Sequence, residues 1–190
     1  MTELSKIHLG GSTFDSRLRE RGFITQLGWN DELAGELVTQ SKDPVIMEST
    51  PRDHTERFTS VASAYEWYQS SDRTVYSLYS HDGLAGVFWI SPQVYETAEK
   101  TIAIRLYESA RGKGLAPLFG KTALYHHERW QGYTGDTWLE TGAANLAGQH
   151  TFTRLGFEAQ HNPTMSPDRL RMVRLGITAR SRAEEDQVQQ

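Results

Sequence analysis

A strand-like segment, Thr101–Tyr107 (TIAIRLY), and a segment of helical apolar spacing, Leu115–Glu128, flank the stretch ARGKGLAPLFGKT, Ala110–Thr122. A glycine-bearing turn from strand to helix constrains this chain more than any other feature. The start of a helix carries partial positive charge and unpaired amides, which suits a phosphate. Gly112 and Gly114 permit backbone angles and close approaches closed to other residues. Arg111 and Lys113 add charge. The turn alone leaves two readings open: a pyrophosphate cradle, or an ordinary connection with two solvated cations.

A triphosphate loop does not fit. That pattern needs glycine, four residues, then Gly-Lys-Ser/Thr. Gly120-Lys121-Thr122 supplies the end, but Leu115 occupies the required glycine position. Leu115, Leu118, Phe119 and Ala123 recur at helical spacing, and Pro117 suits a first helical turn, where no backbone donor is lost. Gly120-Lys121-Thr122 then falls inside a helix with its amides already used.

The rest of the chain supplies the frame. Phe23–Leu27 reads as a first strand, and Asn30 or Asp31 caps a helix through Gln40. Residues 41–58 are rich in turn formers and charge and read as a long loop. Ser60–Gln69 reads as a helix. Thr74–Tyr79 and Leu84–Ile90 form a hairpin about Asp82-Gly83, with Ser91-Pro92 ending its second strand. Thr137–Thr141 is a short strand, Asn145–Leu155 a helix stopped at Gly156, and Phe157–Gln160 and Leu170–Ile177 are the last strands. A hairpin combined with strand–helix–strand units predicts an α/β fold with a mixed central sheet flanked by helices. Residues 1–21 read as a flexible arm, 22–178 as a single domain and 179–190 as a disordered tail.

Composition narrows the chemistry. With 190 residues, 37% hydrophobic and 23% charged, the chain suits one globular domain. A net charge of −4 argues against nucleic acid as the partner. The absence of cysteine removes thiolate metal sites and a cysteine nucleophile. No apolar run approaches a membrane span or a signal sequence, so a cytoplasmic protein with no membrane partner is expected. His126-His127-Glu128 resembles a metal cluster, but neighbouring helix positions diverge, so no metal is expected.

Two signatures together resolve the turn. Arg111-Gly112-Lys113-Gly114-Leu115-Ala116 matches R/Q-x-x-G-x-G/A. About 30 residues on, NLAGQHTFTRLGF (Asn145–Phe157) approximates N-x-x-A-x-x-x-Y-x-x-x-G-F. Both resemble motifs of the GNAT superfamily of acetyl-CoA-dependent N-acetyltransferases, and the resemblance spans Thr74–Ile177. It implies the GNAT acyl-CoA N-acyltransferase fold, acetyl-CoA as cosubstrate, and a small-molecule or peptide amine as acceptor. It is also compatible with a homodimer.

Position by position, the resemblance implies that Arg111, Gly112, Lys113, Gly114, Leu115 and Ala116 hold the CoA pyrophosphate. The strand before them would run along the pantetheine arm. Leu106 would present a bulged backbone amide to the thioester oxygen, a form of oxyanion stabilisation. Asn145 would contact pantetheine, although it equally suits a helix cap. The tyrosine that protonates the leaving thiolate in such proteins falls at Phe152, which the resemblance places among the cofactor-binding residues but which has no proton to give and, packed with Leu155 at i+3, reads as core. Tyr107, Tyr133, His150 or a water are the substitutes, and a non-catalytic CoA-binding module is the alternative. Glu140 and Glu108 are the candidate bases that deprotonate the incoming ammonium.

Overall fold

The computed structural model describes residues 7–8, 13–160 and 166–177. In chain order the elements are β1 (Ile7–His8), α1 (Thr13–Arg19), β2 (Ile24–Leu27), α2 (Asp31–Gln40) and α3 (Pro44–Ser49). A single π-helical turn, Asp53–Arg57, precedes α4 (Val61–Gln69), β3 (Thr74–Ser80), β4 (Gly83–Tyr95) and β5 (Ala98–Leu106). The chain continues with α5 (Ala116–Arg129), β6 (Thr137–Gly142), α6 (Leu146–Arg154), β7 (Glu158–Gln160) and β8 (Arg169–Arg174).

The strands form one mixed sheet in the order β1-β2-β3-β4-β5-β6-β8-β7. Every neighbouring pair is antiparallel except β5 and β6. Alternation along the strands feeds two cores, one on each face. Ile102, Ile104 and Leu106 of β5 join a core with Phe88, Leu118, Phe119, Leu155 and Phe157, under α1, α5 and α6. Ala103 joins the opposite core of Trp29, Leu37, Phe58, Trp67 and Trp89, under α2 and α4.

Local chemistry explains most boundaries. Asn30 caps α2 by accepting from the Leu33 amide at 2.8 Å, and Ser60 and Ser63 form a reciprocal capping box on α4. Gly120 lies inside α5, where a Cβ would come within 2.6 Å of Leu155 Cδ1. That glycine lets α6 pack against α5 and has no phosphate role.

Three expectations need correction. Part of the supposed flexible arm is helix α1, whose Leu18 is fully buried and whose Phe14 packs on the same core. The supposed loop 41–58 contains α3, started by the Asp43 cap and Pro44, and the π-helical turn. Pro92 does not end β4, which runs to Tyr95. Pro92 pairs with Lys100 at a position where β4 directs no hydrogen bonds toward β5, so its missing N–H disrupts no ladder. Residues 178–190, with the polar tail, lie outside the described residues, as do 1–6, 9–12 and 161–165.

Candidate active site

The parallel strands β5 and β6 pair only at Lys100↔Thr137 and Thr101↔Trp138. Beyond those residues β5 runs on to Leu106 and β6 to Gly142 without pairing, so the sheet opens into a wedge-shaped gap. Backbone parity fixes what faces it. Tyr107 donates to the Ala85 carbonyl at 2.9 Å, which makes Gly86↔Leu106 a pair without mutual hydrogen bonds. The N–H and C=O of Leu106 therefore point away from β4, into the gap, and those of Ile104 do likewise. The expected bulge at Leu106 is absent, since the β4–β5 register is unbroken through Gly86↔Leu106. The irregularity lies between β3 and β4, beside Ala85, and parity alone turns the Leu106 amide outward.

The turn at the head of the gap is shorter as a cradle than the sequence motif. The Arg111 amide bonds the Tyr107 carbonyl at 3.1 Å. The Arg111 guanidinium donates from Nε to the Leu106 carbonyl at 3.0 Å and ion-pairs with Asp43. Arg111 thus supplies neither a free amide nor a free cation, and instead latches the turn to the cap of α3. Burial pushes the Asp43 carboxyl up, but the Arg111 hydrogen bond and the Val45 amide outweigh it and hold the carboxyl below its usual value. Among the described residues, no carbonyl accepts from the amides of Gly112, Lys113, Gly114, Leu115 or Ala116. Gly112 and Gly114 take φ of 71° and 66°, the left-handed region that glycine enters without penalty, and both face open space. Leu115 at the N-cap of α5 has no side-chain cap, so no side chain among the described residues caps this helix start. Unpaired amides at the start of a long helix fit an anionic diphosphate. The carbonyls of Ile104 and Leu106 accept from Arg105 and Arg111, at 3.1 and 3.0 Å, and the outward amides of this strand edge fit the carbonyls of an amide-bearing chain such as pantetheine.

Solved structures of similar fold supply the comparison. A spermidine N-acetyltransferase from Vibrio cholerae in complex with CoA and spermine superposes with a TM-score of 0.64 at 15% identity, covering 82% of this chain and 96% of that one. The ribosomal L7/L12 alpha-N-protein acetyltransferase RimL, in complex with CoA, gives 0.64 at 15%, covering 89% and 98%. An aminoglycoside acetyltransferase in complex with coenzyme A and kanamycin gives 0.65 at 16%, covering 84% and 99%. This chain has the GNAT acetyltransferase fold. No protein-family model and no curated protein sequence matches it.

In this GNAT-fold chain the two candidate bases differ sharply. Glu140 is held by Arg171, its cross-strand partner on β8, and by Arg169 at 3.5 Å. The Arg171 guanidinium also stacks on Tyr95 and Trp138, 3.8 and 5.0 Å from their ring centres. Glu108 is exposed just past the end of β5, with no ion pair among the described residues. Asn145 caps α6, accepting from the Gly148 amide and donating to Thr141 Oγ1, each at 3.0 Å. Both of its polar atoms are thereby engaged.

Phe152 is buried in the core, edge-on to Phe157 with ring centres 6.1 Å apart. Of its substitutes as proton donor, Tyr133 bonds the Asp136 carbonyl at 2.6 Å. It sits before β6, at the end of the sheet away from the gap. Tyr107 is buried, which pushes its phenol far up, and the Asp53 charge adds to the effect. His150 is exposed on α6.

The face of the sheet under α2 and α4 shows what sequence reading missed. Asp53 is buried and accepts from Arg57 at 2.7 Å and Arg105 at 2.8 Å. Both guanidiniums lie over Trp89, at 5.9 and 4.9 Å. Arg105 belongs to β5, so this cluster abuts the gap. Tyr65 and Tyr68 pack against Trp29, with ring centres 5.8 and 4.6 Å from it. His126 and His127 bond Tyr76 and Gln131 respectively. Among the described residues no three His, Asp or Glu side chains converge as metal ligands, and no helix is long and apolar enough to cross a membrane.

Proposed function

We propose that this chain transfers an acyl group, acetyl by default, from acyl-CoA to a small-molecule or peptide amine. The observation that carries the proposal is the gap between β5 and β6. It is lined by the outward backbone of Ile104 and Leu106 and headed by the free amides of Gly112–Ala116. The neighbours that bind CoA, with spermine or kanamycin, support the same reading.

In this reading the Gly112–Ala116 amides bind the diphosphate, and the exposed edge of β5 pairs with the pantetheine amides. Acetyl-CoA brings the thioester that the amine attacks. The Leu106 N–H donates to the thioester oxygen as negative charge builds there. Glu108, with no ion pair among the described residues, takes the ammonium proton directly or through water. The amine nitrogen then forms the new bond to the acyl carbon as the carbon–sulfur bond breaks, and its surplus proton passes to water, from which the departing thiolate is protonated. The thiolate departs without a positioned acid, which its reference pKa of about 8.5 permits, and Phe152 stays a packing residue. Glu140 keeps Arg171 in place across β6 and β8. No covalent enzyme intermediate forms, because no cysteine exists and no serine sits in a nucleophile motif.

The test is amine-dependent release of free thiol from acetyl-CoA across polyamines, aminoglycosides, amino acids and peptides. Release with one class, with intersecting initial-rate patterns, is expected. CoA binding without release for any amine would leave the chain a non-catalytic CoA-binding module.

A further inference from the structure

Beside the cradle, on the side of α1 and α6, lies an open groove of about 530 Å³. Gly114 of the cradle forms one end, and Phe14, Arg17, Arg21, Lys121 and Arg154 surround the rest. Four of these are cations, drawn from α1, the turn after it, α5 and α6, and no carboxylate lines the groove. Among the described residues none of the four forms an ion pair. Beside the groove Arg19 pairs with Asp15, at 2.8 Å, and Asp15 is buried. Arg21 donates to the Lys113 carbonyl at 3.2 Å, tying the end of α1 to the cradle, and Lys121 Nζ lies 5.5 Å from the Phe14 ring centre.

Like charges gathered without counter-charge repel one another, and a multivalent anion relieves that repulsion. Along α5 the groove runs from Gly114 to Lys121, about 10 Å at 1.5 Å per residue, roughly the span of one nucleotide. Coenzyme A carries two phosphorylated centres, the diphosphate and a phosphate monoester on the ribose 3′-oxygen. The free amides account for the first. We propose that α1 completes the cosubstrate site, and that Arg17, Lys121 and Arg154, with Arg21 beside them, hold the 3′-phosphate. This inference rests on the cosubstrate reading above.

Calorimetric titration of the full chain with coenzyme A and with 3′-dephospho-coenzyme A tests it. The wild type should bind coenzyme A about 10- to 100-fold tighter, as expected for charge-assisted hydrogen bonds to one phosphate. In an Arg17→Gln/Arg154→Gln double variant that ratio should collapse, while affinity for the dephospho form changes less than about threefold. Both residues are exposed, and retained dephospho-coenzyme A binding verifies the fold. Equal wild-type affinities for the two ligands would overturn this inference and leave the cosubstrate reading standing. So would a parallel loss of both in the variant, which would put the diphosphate in the groove. Binding of neither ligand by the wild type would remove both.

Discussion

Acid should destabilise this protein through one imidazole. His127 is 1% exposed. Its Nδ1 lies 2.5 Å from Gln131 Oε1, and its Nε2 lies 3.4 Å from Lys100 Nζ. An ammonium only donates, so Nε2 accepts and the Nδ1–H donates to Gln131. The ring is therefore neutral. Burial depresses its pKa to about 4, Lys100 and His126 push the same way, and Gln131 and Glu128 oppose them. In the unfolded chain the same group titrates near 6.5. Below that pH the unfolded chain takes up a proton that the folded protein refuses. Stability is therefore fully present above about pH 6.5 and declines as pH falls toward about 4. The difference amounts to about 3 kcal/mol at the lower limit and about 2 kcal/mol at about pH 5. Urea unfolding of the wild type and of His127→Gln, from about pH 7.5 to about pH 4.5, isolates this effect, because other titrations cancel in the difference. The wild type should lose about 2–3 kcal/mol relative to the variant across that range. Parallel stability curves would refute the neutral, buried imidazole.

Other consequences are testable alongside it. Glu108→Gln should lower kcat by about 10²- to 10⁴-fold at neutral pH, with coenzyme A affinity unchanged in direct titration. Glu140→Gln should leave kcat within about tenfold, since that carboxylate is already ion-paired. Gly112→Ala should cost about 1–2 kcal/mol of stability, measured by denaturant unfolding, because its φ of 71° is strained for any side chain. Gly120→Ala, favourable by helix propensity, should instead destabilise by about 1–3 kcal/mol, because the new methyl meets Leu155. The paired Gly120→Ala/Leu155→Ala variant should recover part of that loss relative to Leu155→Ala alone.

What the sequence made legible was what neighbouring residues decide. The hairpin, the helix cap and the Gly156 stop (φ 86°) are local chemistry: the turn centres on His81-Asp82, one residue before the Asp82-Gly83 expected, with Gly83 (φ 111°) paired to Ser80, and Asn30 of the two candidate caps is the one used. The turn from β5 into α5 is local as well. Helix α1 was illegible because it shows only one apolar repeat, Phe14 and Leu18, and owes its order to packing on α5. The start of α3 was legible in principle, as an aspartate cap before a proline. At the site, the sequence could not show which residues are engaged by distant partners. Arg111 pairs with Asp43, 68 residues away, and Glu140 with Arg171, 31 residues away. The groove cations come from three separate helices and the turn after the first, so no sequence window shows them together.

The central claim is that the gap and its cradle hold acyl-CoA, and thermal unfolding with acetyl-CoA, CoA and ATP in parallel tests it most directly. At about 100 times its dissociation constant a ligand adds about 2.7 kcal/mol, a rise in midpoint of about 5–10 °C for a chain of this size. That rise is expected with acetyl-CoA and with CoA, and a smaller one or none with ATP, which has no pantetheine to pair with β5. No rise with either CoA species, or an equal rise with ATP, would contradict it.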